Sequence, residues 1–187
     1  LLHGAGYDAV QLDEIDPDGK IPEVEETGTT FKENALLKAH AIAKATGLPS
    51  VADDTGLEVD ALGGAPGIFS ARYAGENCTY EDNVKKLLNE LSDVADDRRT
   101  AHFKTVAVYV HKETELSAEG VVEGVITEKE EGVGGFGYDP VFSVLDMKKT
   151  YAQLADEEKN RVSHRGKAIR SLIEKLRENG LIADNPS

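Results

Sequence analysis

Two adjacent acids behind a short apolar entry, Val51-Ala52-Asp53-Asp54-Thr55-Gly56, carry the densest potential chemistry in this chain. Acids at a strand end sit where loops meet solvent, the place where α/β sheets put their ligand sites. Neighbouring side chains on a strand point to opposite faces, so one Asp faces a ligand while the other orients the turn. Asp-Thr-Gly is also good turn chemistry, and alone the segment reads as structural. A second acidic group, Glu25-Glu26-Thr27-Gly28, lies just ahead of a helix. Acids there ordinarily serve solvation and the helix N-terminus. Together with Asp54, Glu25 or Glu26 would satisfy Mg²⁺, which takes one or two carboxylates plus substrate phosphates.

Two further groups could complete a site. In Gly134-Gly135-Phe136-Gly137-Tyr138-Asp139-Pro140, glycines on both sides of an aromatic let backbone approach a flat ligand on which Phe136 or Tyr138 stacks. Asp139 could accept from a ring N–H. The competing reading is a hairpin loop with its aromatic folded onto the core. In Lys159-Asn160-Arg161-Val162-Ser163-His164-Arg165-Gly166-Lys167, a basic cluster falls at the start of the last helix, with Ser163 placed to cap it. Lys offers phosphate a point charge and Arg a planar fork. Metal ligands, an aromatic slot and anion or carbonyl donors together make the equipment for a nucleoside triphosphate.

The elements that must position these groups follow from periodicity and caps. Asp8 to Leu12 reads as a short strand, followed by an acidic Pro/Gly loop. Thr30-Phe31-Lys32-Glu33 is a capping box opening a helix to about Ala45, with Ala35, Ala39 and Ile42 on one face and Gly47 as its stop. Leu48 to Ala52 is the strand feeding the Asp pair. Thr79 caps a helix from Tyr80 to Leu91 with Val84, Leu87, Leu88 and Leu91 inward. Ala101 to Val110 and Leu116 to Thr127 read as an antiparallel hairpin. A glycine loop and a short strand near Phe142 precede a last helix, His164 to Glu178, which buries Ile169, Leu172, Ile173 and Leu176. The pattern predicts one α/β domain over residues 1–187, a mixed central sheet flanked by helices. The tail Ala183 to Ser187 reads as frayed.

Composition excludes several functions. The formal net charge is −14, a field that repels nucleic acids and anionic membranes. An anionic substrate therefore needs a local basic cluster or a bridging cation. Cys78 is the single cysteine, so no intrachain disulfide forms, and a cytoplasmic setting fits.

These motifs resemble the inosine triphosphate pyrophosphatase family. The resemblance runs through Glu26-Thr27-Gly28 with Phe31-Lys32-Glu33-Asn34-Ala35, then Val51 to Leu57 and Ala61 to Tyr73. It continues through Gly135 to Pro140 and Ser163 to Gly166, in the family's order over nearly the whole chain. It implies a Mg²⁺-dependent enzyme that hydrolyses dITP, ITP and XTP to monophosphate and pyrophosphate. Carried over by position, Asp54 is the general base and a metal ligand, and Glu25 shares the metal. Thr55 contacts substrate, and Phe136, Gly137, Tyr138 and Asp139 wrap the purine. Lys159, His164 and Arg165 hold the base and its 6-keto group. The resemblance also implies a homodimer. Maf-like nucleotide pyrophosphatases are the rival enzyme class, and a non-catalytic nucleotide-binding fragment is the rival outside enzymes. Family members open with a strand ending in a Thr-x-Asn-x-x-Lys loop that grips the triphosphate, and none lies upstream of the first acidic segment here. Leu1 to Tyr7 reads as a helix end. The expectation is a chain shortened at its N-terminus, with the fold retained and hydrolysis weak or absent.

Overall fold

Two threonine caps set the principal helices. The computed structural model describes residues 9–182, so the readings of Leu1 to Tyr7 and of the tail Ala183 to Ser187 lie outside the described residues. The Thr30 side chain accepts from the Glu33 amide and opens α2 (Phe31–Thr46), which stops at Gly47 in the left-handed conformation. Thr79 opens α3 (Tyr80–Glu90), and Asp82 returns a bond to the Thr79 amide to complete a capping box. A single turn, α1 (Leu12–Ile15), stands where the sequence suggests the end of a strand. Its Glu14 carboxylate bonds the Gln11 amide and satisfies a helix-start donor locally. The chain ends in α4 (Asp156–Val162) and α5 (His164–Glu178). Helix α4 escapes pattern reading because its sequence, DEEKNRV, has almost no apolar periodicity.

Among the described residues, five strands form one sheet in the order β1 (Ser50–Val59), β2 (Thr100–His111), β3 (Thr114–Ile126), β4 (Phe142–Val144) and β5 (Lys149–Thr150). The β2–β3 hairpin turns at Lys112, whose φ is 53°. Strand β3 pairs antiparallel with β4, placing Gly124 opposite Val144, and β4 pairs antiparallel with β5. A Cβ on Gly124 would lie 2.5 Å from the Phe142 ring and the Ser143 carbonyl, so this approach requires glycine. Strand β1 corrects the sequence reading. Asp53-Asp54-Thr55-Gly56 lies in the middle of the strand and forms no turn. The turn preference of Asp and Gly is local, and sheet context overrides it.

By its internal contacts the chain forms two compact units. The first comprises Leu1–Asp54, Thr105–Gly120 and Arg165–Ser187, and the second comprises Thr55–Lys104 and Val121–His164. In the first, Ala107, Tyr109 and Ala118 pack with Ala168, Leu172 and Leu176 of α5. In the second, Leu57, Val59, Val84, Leu87 and Leu91 pack with the aromatic group Phe103, Phe142 and Tyr151. Leu87 and Leu91 are fully buried, each stabilising by about 1.5–3 kcal/mol, so packing rather than propensity holds α3. Arg99 is also buried, and its guanidinium donates to the carbonyls of Leu91, Val94 and Thr127 beyond the end of α3. Among the described residues, no helix is long and apolar enough to cross a membrane.

Candidate active site

In the first unit, an acidic cluster forms around one face of α2. Asn34 and Lys38 stand one turn apart, so both side chains emerge on the same side of the helix. Lys38 Nζ donates to Glu26 Oε1 at 2.7 Å and to Asp54 Oδ1 at 3.1 Å. Asn34 Nδ2 donates to Asp54 Oδ2 at 3.3 Å, and Asn34 Oδ1 accepts from the Gly28 amide at 2.8 Å. The acid brought to Asp54 is therefore Glu26, and Glu25, the metal ligand the resemblance implies, is exposed. Adjacent residues of a non-helical segment present their side chains to different sides, so only one of the two turns inward. Lys38 does not stand out in the sequence, and Asn34 enters there only as one position of the Phe31–Ala35 motif, with no role attached. The available signal is their i, i+4 spacing beside the buried Ala35–Ala39 stripe, which puts two polar groups at the edge of the core.

The electrostatics of the cluster are balanced. Burial pushes the Asp54 carboxyl up, Lys38 pulls it down and Glu26 pushes it up again, leaving it above the ordinary carboxylate value. Burial lowers the Lys38 ammonium, but Glu26 and Asp54 more than offset this and hold it above its usual range. Asp54 is thus a buried acid biased towards proton acceptance, as a general base requires. Its neighbour Asp53 turns the other way and accepts from Arg165 Nε at 3.0 Å. By the same alternation Thr55 follows on the face of Asp53. A groove of about 1040 Å³ in this unit is walled by Glu26, Lys38 and Asp53 with Val24, Tyr109 and Ile169.

In the second unit, the glycine loop folds around Asp139. The buried Asp139 Oδ2 accepts from the Phe136 amide at 2.8 Å and from Lys159 Nζ at 2.5 Å. Gly135 has φ 75°, and a Cβ there would lie 2.1 Å from that same carboxylate oxygen. Asp139 Oδ2 therefore braces the loop. The two aromatics separate. Phe136 is 62 % exposed, whereas Tyr138 is buried and donates its hydroxyl to the Ser70 carbonyl at 2.9 Å. The open stacking face is that of Phe136, with Tyr80 tilted beside it at 6.2 Å. The Lys159 ammonium lies 5.1 Å from the Phe136 ring centroid and 5.5 Å from that of Tyr151. His164 stacks on Phe103 with centroids 4.8 Å apart. Gly137, at φ 62°, completes the turn beneath Phe136.

The Ham1 family model matches residues 1–175. This chain belongs to the Ham1 family. The pyrophosphatase resemblance rests on the same segments, and the match favours it over the Maf-like alternative. Among relatives, a protein of Salmonella typhimurium named dITP/XTP pyrophosphatase is 53 % identical over 180 residues, covering 95 % of this chain and 89 % of its own. The Escherichia coli K12 protein of the same name is 51 % identical with the same coverage. Among solved structures, the Staphylococcus aureus Ham1 protein superposes with a TM-score of 0.84 at 45 % identity, covering 93 % of this chain and 88 % of that one. A Ham1 protein from Coxiella burnetii gives 0.81 at 44 % identity, with coverages of 87 % and 84 %. At these identities the Ham1 fold extends over the two units described above.

Proposed function

We propose that this protein is a nucleoside triphosphate pyrophosphatase that hydrolyses dITP, ITP and XTP to the monophosphate and pyrophosphate. The observation that carries this reading is the identity of about half of 180 aligned positions with proteins named dITP/XTP pyrophosphatase. The Asp54 cluster supplies matching chemistry. An ammonium held between two carboxylates marks a place that favours a cation. Among the described residues no group of three acids or other ligands surrounds it, so a metal ion there would draw further oxygens from substrate phosphates. That is how Mg²⁺ is usually held, and Glu26 with Asp54 would hold it. Bound Mg²⁺ would offset phosphate charge and polarise the phosphoryl group.

In this reading Asp54 accepts a proton from the attacking water, whose oxygen bonds the α-phosphorus as the bond to the pyrophosphate oxygen breaks. Lys38 keeps Glu26 and Asp54 together against their mutual repulsion. Phe136 stacks on the purine, with Gly137 admitting it and Asp139 shaping the loop. Lys159, His164 and Arg165 are the donors for O6, and Thr55 is a substrate contact. Adenine presents an amine where inosine and xanthine present an acceptor, and a donor facing that amine is left unpaired, which rejects it. The reading includes a homodimer in the cytoplasm, with no nucleic-acid or membrane partner in view of the charge of −14.

Pyrophosphate release from a panel of dITP, XTP, dATP, dTTP and UTP with Mg²⁺ tests the assignment. Release from dITP and XTP well above the others is expected. A preference for dTTP or UTP, or no release from any, overturns it. Sedimentation equilibrium tests the dimer.

A further inference from the structure

Asn34 is fully buried, an expensive place for an amide unless both of its ends are used. Both are. Its carbonyl oxygen takes the Gly28 amide at 2.8 Å and its NH₂ gives to Asp54 Oδ2 at 3.3 Å. The orientation is forced, because a flipped amide would set NH₂ against an N–H and a carbonyl against a carboxylate. The fit around it is tight. A Cβ on Gly28 would lie 2.6 Å from Asn34 Oδ1 and 2.7 Å from Glu33 Cβ. Lys38 already holds Asp54 Oδ1, so without Asn34 the carboxylate could turn about that single contact. With it, each oxygen has its own donor on one helix face.

We propose that Asn34 is a positioning residue for the reaction, setting the rotation of the Asp54 carboxylate while its other end ties the Glu26–Gly28 segment to α2. This rests on Asp54 being the base. The donor to Asp54 carries the catalytic effect, and the Gly28 bond carries the local order. Displacement of a reacting group by about an ångström can cost roughly 100-fold in rate, so a swinging carboxylate is a kinetic defect before it is a folding one.

Four variants separate these roles: Asn34→Asp, Asn34→Ala, Asp54→Asn and the double variant Asn34→Ala/Asp54→Asn. Asn34→Asp keeps an acceptor for Gly28 and loses the donor to Asp54, whereas Asn34→Ala loses both without adding charge. The measurements are kcat and KM for dITP with Mg²⁺, and hydrogen exchange of the Gly28 amide. Both Asn34 variants should lose about 10- to 100-fold in kcat with KM little changed. Gly28 protection should survive in Asn34→Asp and vanish in Asn34→Ala. In the Asp54→Asn background, Asn34→Ala should cost almost nothing more. Wild-type kcat in either Asn34 variant overturns the proposal, as does a kcat loss that follows Gly28 exchange. A full additional loss in the Asp54→Asn background also overturns it. If wild-type protein releases pyrophosphate from dITP and Asp54→Asn does so about 100-fold or more slowly, any of these results leaves the functional reading standing. If wild-type protein does not act on dITP, both fall.

Discussion

Asp53 and Asp54 are neighbours in β1 and serve opposite partners. Asp53 Oδ2 accepts from Arg165 Nε at 3.0 Å, and Asp54 accepts from Lys38 at 3.1 Å and from Asn34 at 3.3 Å. Strand alternation alone separates them, and burial then makes them chemically unequal. Asp54 is buried and raised, whereas Asp53 is half-exposed beside an exposed Arg.

Replacing each acid in turn should therefore give different enzymes. Asp54→Asn should lower kcat for dITP by about 10²- to 10⁴-fold, the usual contribution of a general base. Asp53→Asn breaks a partly exposed ion pair, a class worth about 0–1 kcal/mol, and should leave thermal stability and turnover near wild type. Steady-state kinetics on both variants checks this, and equal losses would remove the distinction.

Phe136→Ala should act on binding. The ring is exposed and supports little of the core, so the thermal midpoint should hardly move. Stacking of a base on an aromatic ring is worth about 1–3 kcal/mol, which corresponds to a rise of roughly 5- to 150-fold in KM for dITP. A large loss of stability with unchanged KM would place Phe136 in the core instead.

Arg99→Met should be a stability variant with no direct effect on the site. It would strip the guanidinium donors from the Leu91, Val94 and Thr127 carbonyls, a cost of about 2–4 kcal/mol. Urea unfolding measures it, and a change below half a kilocalorie would show that water replaces the lost donors.

The Asp82 cap predicts a pH dependence. The amide and hydroxyl of Thr79 hold the Asp82 carboxyl below its ordinary value of 3.8. A lowered folded-state pKa stabilises above the unfolded value, and that contribution is lost as pH falls through the folded one. The gap in urea midpoint between wild type and Asp82→Ala should therefore be present at neutral pH and narrow well below 3.8. A gap independent of pH would show that the charged cap is not the source.

Much of the scaffold was legible in the residues. Thr79 and Asp82 form the full reciprocal box expected of a Thr three residues ahead of an acid, whereas at Thr30 the hydroxyl caps the Glu33 amide and the Glu33 carboxylate bonds the Thr29 amide at 2.6 Å, one residue before the cap. The β2–β3 hairpin and the inward faces of α3 and α5 follow from periodicity. Helix α4 was not legible, because seven mostly charged residues carry no repeat. The family was legible too, since its motifs keep their order along the chain.

The order of residues sets local preferences: which side chains can cap, alternate, stack or carry charge. The choice among them was made by packing. It drew Asp53-Asp54 into a strand against their turn preference and turned Glu26 inward while Glu25 stayed outside. It sent Tyr138 to the Ser70 carbonyl and left Phe136 exposed. It also made Asn34 and Lys38, ordinary polar positions of a helix, the two hands on Asp54. The physical reason is the same in each case. These choices are between side chains of equal local fitness, and they are settled by burial and by partners remote in sequence, 16 and 20 residues away for Asp54.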